Sequence, residues 1–114
     1  MMALAAEIRR HRAGLPRPAW LDAMGLHVTP TTLERWERGA IPRERVAELL
    51  RLIDASPDVI GAAVAEVVGN PHPWGRWLTR AAGDSGPHRR TLAAVLSCRG
   101  ELLDWLVERC ADDV

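Results

Sequence analysis

Apolar residues recur along the chain at the three- and four-residue spacing of helices, and nowhere do they alternate as in a strand. Proline and glycine divide this pattern into short segments. The pattern therefore predicts a series of short helices, at about residues 3–12, 17–24, 30–38, 42–53 and 57–68.

The predicted helices carry start and stop signals. Thr29-Pro30 and Ser56-Pro57 each place a capping hydroxyl directly before a proline, which fits the first position of a helix. Gly14, Gly25, Gly39 and Gly69 follow segments with helical periodicity and are expected to end them.

The chain changes character near residue 71. A short amphipathic segment at 72–78 is followed by the loop 83–87 and then by a helical stretch from 88 to about 111, which Gly100 interrupts. We therefore expect two parts, 1–70 and 71–114, of which the second is a helical extension.

The third predicted helix has two chemically different edges. At about 100° per residue, Trp36 and Glu37 fall near Leu33 on an edge that can dock, whereas Thr31, Arg35 and Arg38 fall on the opposite edge. Hydroxyls and guanidiniums in this arrangement suit a helix in the DNA major groove. Glu34 and Arg38 are also spaced for an ordinary ion pair on a solvated face, so this helix alone leaves both interpretations open.

The segment from Thr29 to Gly39 resembles the recognition helix of the lambda-repressor/Cro family, also called the XRE family. The shared positions are Thr29, Leu33, Trp36, Glu37 and Gly39. The resemblance covers about residues 4–55. It implies an all-α fold, a lambda-repressor-like helix-turn-helix bundle of four to five short helices with a C-terminal helical extension.

Two departures from the family pattern bear on DNA contacts. Family members usually begin the second helix with Ser or Thr and then Gln, where this chain has Pro16, Arg17 and Pro18. The turn after Gly25 is also two residues longer than usual.

Glu37, near the inward edge, is expected to bond to a neighbouring helix and not to DNA.

The resemblance implies a set of DNA-contacting residues. The third helix would face bases with Pro30, Thr31, Thr32, Glu34 and Arg35, where Pro30 would touch a thymine methyl. Residues that would meet phosphates are Arg17, Thr29, Arg38 and Arg43, the last assisted by the amide dipoles at the start of the fourth helix.

Charge refines the expected partner. The formal net charge is zero, which argues against indiscriminate nucleic-acid binding. Residues 1–55 carry nine Arg against seven acidic residues, and residues 56–114 carry six against eight. All fifteen basic residues are Arg, whose fork of donors suits guanine and phosphate.

Other classes of function lack a signal in the sequence. We expect no enzyme, cofactor or metal site, because no catalytic constellation, phosphate loop or ligand spacing is present. The apolar runs are far shorter than a membrane span and Arg9, Arg10 and Arg12 interrupt the first segment, so a cytoplasmic protein is expected.

The C-terminal apolar residues exceed what one four-helix unit needs for its core. We expect a homodimer, since helix-turn-helix proteins generally bind two-fold sites. Its interface is expected to contain Leu92, Leu96, Leu103, Trp105 and Leu106. The alternative is that the C-terminal helices pack back on the N-terminal helices as one domain.

Three functions remain. The first is a repressor that binds a double-stranded DNA operator and regulates its own gene. The second is an antitoxin whose C-terminal half binds a protein toxin, and the third is a protein-interaction module that has lost DNA binding. Zero net charge is the best argument for the third.

Overall fold

A computed structural model describes residues 1–69, 93–94, 96–97 and 100–111. This part of the chain contains helices and turns and no strand, which confirms the all-α prediction. No helix found there is long and apolar enough to cross a membrane. The helices are α1 (Met2–Arg12), α2 (Arg17–Met24), α3 (Pro30–Glu37), α4 (Arg43–Leu52), α5 (Pro57–Val68) and α6 (Gly100–Ala111).

The helix starts follow the predicted capping pattern. Thr29 Oγ1 accepts a hydrogen bond from the backbone N–H of Thr32 at 3.1 Å, and Ser56 Oγ accepts from the N–H of Val59 at 3.4 Å. Each bond satisfies a backbone donor that the helix itself leaves unpaired. The cap-then-proline signal therefore sets where α3 and α5 begin.

Predicted glycines end α2 and α5 but not α1. Gly25 and Gly69 are left-handed, with φ of 68° and 75°, and end α2 and α5. The prediction that Gly14 ends α1 is wrong, because Ala13 makes the turn with φ 51° and ψ −123°. The N–H of Leu15 donates to the carbonyl of Arg12 at 3.0 Å and closes this turn.

One continuous apolar core joins the described helices. Leu4 and Ile8 of α1 are fully buried, and α1 packs against α3 and α5. The apolar stripe of α4 is buried as predicted, at Val46, Leu49, Leu50 and Ile53. The core is thus built from the edges that the periodicity marked as apolar.

The last helix is part of the same core. α6 packs against α4 and α5 and buries Leu103, Leu106, Val107 and Cys110. Arg109 of α6 bonds to the α4–α5 connection, since Arg109 Nε donates to the carbonyl of Ala55 at 3.2 Å. The described C-terminal helix therefore packs back on the N-terminal helices.

Candidate nucleic-acid interface

α3 lies in the structure with its two edges as the sequence predicts. Leu33, Trp36 and Glu37 are buried, whereas Thr31, Arg35 and Arg38 are exposed. The helix is therefore docked along one side and open to solvent along the other.

The buried edge is fixed on several sides. α3 packs against α1 and α2, and the guanidinium of Arg45 on α4 lies 5.9 Å from the centroid of the Trp36 ring. A cation over an indole face at this distance is attracted by the ring quadrupole. Together these contacts hold α3 in one orientation.

At the start of α3, two of the candidate threonines bond to each other. The hydroxyls of Thr29 and Thr32 are 3.0 Å apart, in addition to the capping bond from the Thr32 backbone. Thr32 is also partly buried, whereas Pro30 and Thr31 are exposed. Thr31 thus presents an exposed hydroxyl outside this bonded pair.

The arginines of the exposed edge differ in their partners. Arg38 Nη2 donates to Glu34 Oε1 at 2.7 Å, so the ordinary i,i+4 pair forms in this structure. Arg35 and Arg43 are exposed, and neither has an ion-pair partner among the residues that the structure describes. Their guanidiniums are accordingly the ones available to an anionic ligand.

Glu37 is at the centre of an ion-pair cluster at the end of α3. Its residue surface is only 3% exposed, and its two carboxylate oxygens bind different helices. Arg12 Nη2 of α1 donates to Oε1 at 2.6 Å, and Arg17 Nε of α2 donates to Oε2 at 2.8 Å. Arg9 also donates to the backbone carbonyl of Glu37. Glu37 therefore joins α1, α2 and α3, in agreement with its expected structural role.

The ionisation of Glu37 reflects two opposing effects. Burial disfavours the carboxylate and acts to raise the pKa of Glu37. Hydrogen bonds from Arg17 and Arg12, together with the positive charges of these two side chains, favour the carboxylate and outweigh burial, so that the pKa of Glu37 is lowered. The hydrogen bond between Arg17 and Glu37 also raises the pKa of Arg17. The cluster is consequently charged at neutral pH.

Arg17 forms an ion pair within the cluster and is also partly exposed to solvent. The sequence predicted it as a phosphate contact, and its side chain is 37% exposed at the start of α2 while one nitrogen binds Glu37. Sequence reasoning missed Arg9 and Arg12 as members of this cluster. Their spacing places both in the last turn of α1, but the partner lies 25 or more residues away along the chain.

The expected dimer residues occupy different environments. Leu96, Leu103 and Leu106 are buried in the core of the single chain, so in this structure their side chains are not available to a second subunit. Trp105 is only partly buried and keeps exposed surface. Leu92 lies outside the described residues.

In the described ranges, no group of three or more His, Cys, Asp and Glu side chains is placed to hold a metal ion.

Comparisons of this chain with families of known proteins, with curated proteins and with solved structures found no match.

Proposed function

We propose that this chain is a sequence-specific, double-stranded DNA-binding transcriptional repressor of the lambda-repressor-like type. In this proposal α2 and α3 form a helix-turn-helix, and α3 enters the major groove. The supporting observation is that α3 is held by buried Leu33, Trp36 and Glu37 while its opposite edge, which carries Thr31 and unpaired Arg35, faces solvent.

Arg35 is the main base-reading residue in this proposal. Its guanidinium is exposed and bonds to no carboxylate in the described part of the chain, so binding guanine O6 and N7 would break no existing ion pair. Thr31 lies one turn earlier on the same edge, and Pro30 can contact a thymine methyl. Thr32 contributes less, because its hydroxyl is bonded to Thr29.

Phosphate contacts would come from the arginines around this edge. Arg43 is exposed at the start of α4, where backbone N–H groups also point outward. Arg17 and Arg38 each use one nitrogen in an ion pair, and a guanidinium has further donors for a phosphate oxygen. Three such contacts on each half-site of a two-fold operator would give a slope of about −5.4 in a plot of log affinity against log salt concentration.

A homodimer would give the site its specificity. Two copies of α3 placed about 34 Å apart would read successive major grooves of a two-fold operator. Since the buried leucines are used within the chain, the dimer surface must be built from other side chains, with Trp105 as the described candidate that keeps exposed area.

The test is a fluorescence-anisotropy titration with the DNA upstream of the chain's own gene, at two salt concentrations and against scrambled competitor DNA. Arg35→Ala removes the proposed base contact, and Arg51→Ala is the matched control because Arg51 is exposed on α4, outside α3. We expect Arg35→Ala to weaken specific binding about tenfold to a hundredfold for each half-site, the equivalent of one lost bidentate contact in each subunit, with little effect of Arg51→Ala.

Equal binding to specific and scrambled DNA would contradict the proposal. Equal losses of affinity in the two variants would contradict the placement of α3 in the groove and would indicate only a non-specific electrostatic interaction. In either case a protein partner, such as the toxin of an antitoxin pair, would become the hypothesis to test by co-purification.

A further inference from the structure

A histidine and a tryptophan join the first two helices. The indole Nε1 of Trp20 on α2 donates a hydrogen bond to Nδ1 of His11 on α1 at 3.0 Å. The two rings meet edge to face, with centroids 6.0 Å apart and an interplanar angle of 78°. The contact therefore combines a hydrogen bond with aromatic packing.

The direction of this hydrogen bond is fixed by chemistry. An indole nitrogen can only donate, so Nδ1 of His11 must present a lone pair and the imidazole proton must be on Nε2. A protonated imidazole carries hydrogen on both nitrogens and accepts nothing. The bond consequently exists only while His11 is neutral.

The donor of this hydrogen bond is buried, whereas its acceptor is open to solvent. Trp20 is 1% exposed, whereas His11 is exposed and can exchange protons with solvent. If His11 is protonated, the buried indole N–H faces another N–H and loses its acceptor. Solvent pH can thus act on a buried donor through a surface imidazole.

We propose that the His11–Trp20 hydrogen bond is a pH-sensitive contact between α1 and α2, which weakens the attachment of α2 when His11 takes up a proton. The contribution to stability is present while the imidazole is neutral and is lost when the imidazole takes up a proton, because the indole N–H then has no acceptor. This inference does not depend on DNA binding.

The charged neighbours of His11 have other principal partners. On α1, Glu7 lies one turn earlier and is hydrogen bonded to Arg10, and its carboxylate also attracts the charge of a protonated His11, whereas Arg12 is bonded to Glu37 of α3. The charged residues of α2 are Arg17, which also binds Glu37, and Asp22, which is exposed.

α3 packs on α1 as well. On α3, Glu34 is bonded to Arg38, and Arg35 is exposed.

The remaining element packed on α1 is α5. Its Glu66 accepts from the backbone N–H of Ala3 at the opposite end of α1, at 3.2 Å. Its other acidic residue, Asp58, is exposed at the start of α5. The acceptor role toward Trp20 therefore stays with the imidazole.

The test compares the unmodified chain with His11→Asn. An Asn side chain keeps an oxygen acceptor near the position of Nδ1 but does not titrate, and His27, His72 and His88 are retained in both proteins. Urea unfolding is measured from pH 7.5 to 5.0, and the indole ¹H–¹⁵N resonance of Trp20 is followed over the same range.

We expect the unfolding equilibrium constant of the unmodified chain to rise about tenfold more than that of His11→Asn between these pH values, as for one buried donor that loses its partner. The indole resonance of Trp20 should move upfield as pH falls in the unmodified chain and stay in place in His11→Asn. Parallel unfolding profiles in the two proteins would overturn the proposal, as would an indole resonance that does not move in the unmodified chain.

Discussion

The Glu37 cluster allows a quantitative prediction about stability. Glu37→Gln keeps the shape of the side chain but removes the negative charge that Arg12 and Arg17 share. Removing one partner of a fully buried ion pair costs about 3–5 kcal/mol. The guanidinium side chains of Arg12 and Arg17 are 18% and 37% exposed, so both can be partly solvated by water after the change. We therefore expect a loss of about 2 kcal/mol in the free energy of unfolding at pH 7.

The pH dependence of this loss has a definite sign. The folded-state pKa of Glu37 is lowered below its ordinary value of 4.5, so its stabilising contribution is fully present above pH 4.5. The contribution disappears as pH falls through the folded-state pKa, because the carboxyl group is then protonated in both states. The stability difference between the unmodified chain and Glu37→Gln should accordingly shrink below pH 4.5.

The assay is urea unfolding followed by circular dichroism at a series of pH values from 7 to 3. Glu34→Gln is the matched control, since it makes the same charge change on the same helix but breaks an exposed i,i+4 pair worth about 0.3–0.5 kcal/mol. A loss of stability in Glu37→Gln no larger than that in Glu34→Gln at pH 7 would contradict a stabilising buried charge at Glu37. A stability difference for Glu37→Gln that stays constant down to pH 3 would contradict it as well.

Two further substitutions test the fold. Leu103→Ala should lower the free energy of unfolding by about 2–5 kcal/mol in urea unfolding, because Leu103 is buried in the shared core; a near-neutral effect would mean that α6 does not pack there. Ala13→Gly should stabilise the chain by about 1 kcal/mol, because φ 51° with ψ −123° suits glycine much better than alanine. Ala19→Gly, at an exposed position inside α2, is its control and should destabilise by a similar amount, and a loss of stability in Ala13→Gly would contradict the strained turn.

Local signals in the sequence were sufficient for the helices of the N-terminal half. The caps at Thr29 and Ser56 and the left-handed glycines at 25 and 69 act between residues at most five apart, so their effect could be predicted from spacing alone. The two edges of α3 were predictable for the same reason. Ala13 was missed because a positive φ at a non-glycine residue has no sequence signature.

The partners of each surface were decided by the tertiary structure. Periodicity showed that the leucines of α6 would be covered, but not whether a second copy or the chain's own α4 and α5 would cover them. Hydrophobic burial depends on removing area from water and is indifferent to which chain supplies the cover. Spacing likewise could not predict that Glu37 binds Arg12 and Arg17. These two arginines lie 25 and 20 residues before Glu37, and they meet its carboxylate only after the helices pack. Local spacing is enough to predict which edges are apolar and where the helices of the N-terminal half begin, whereas long-range packing sets what each edge contacts.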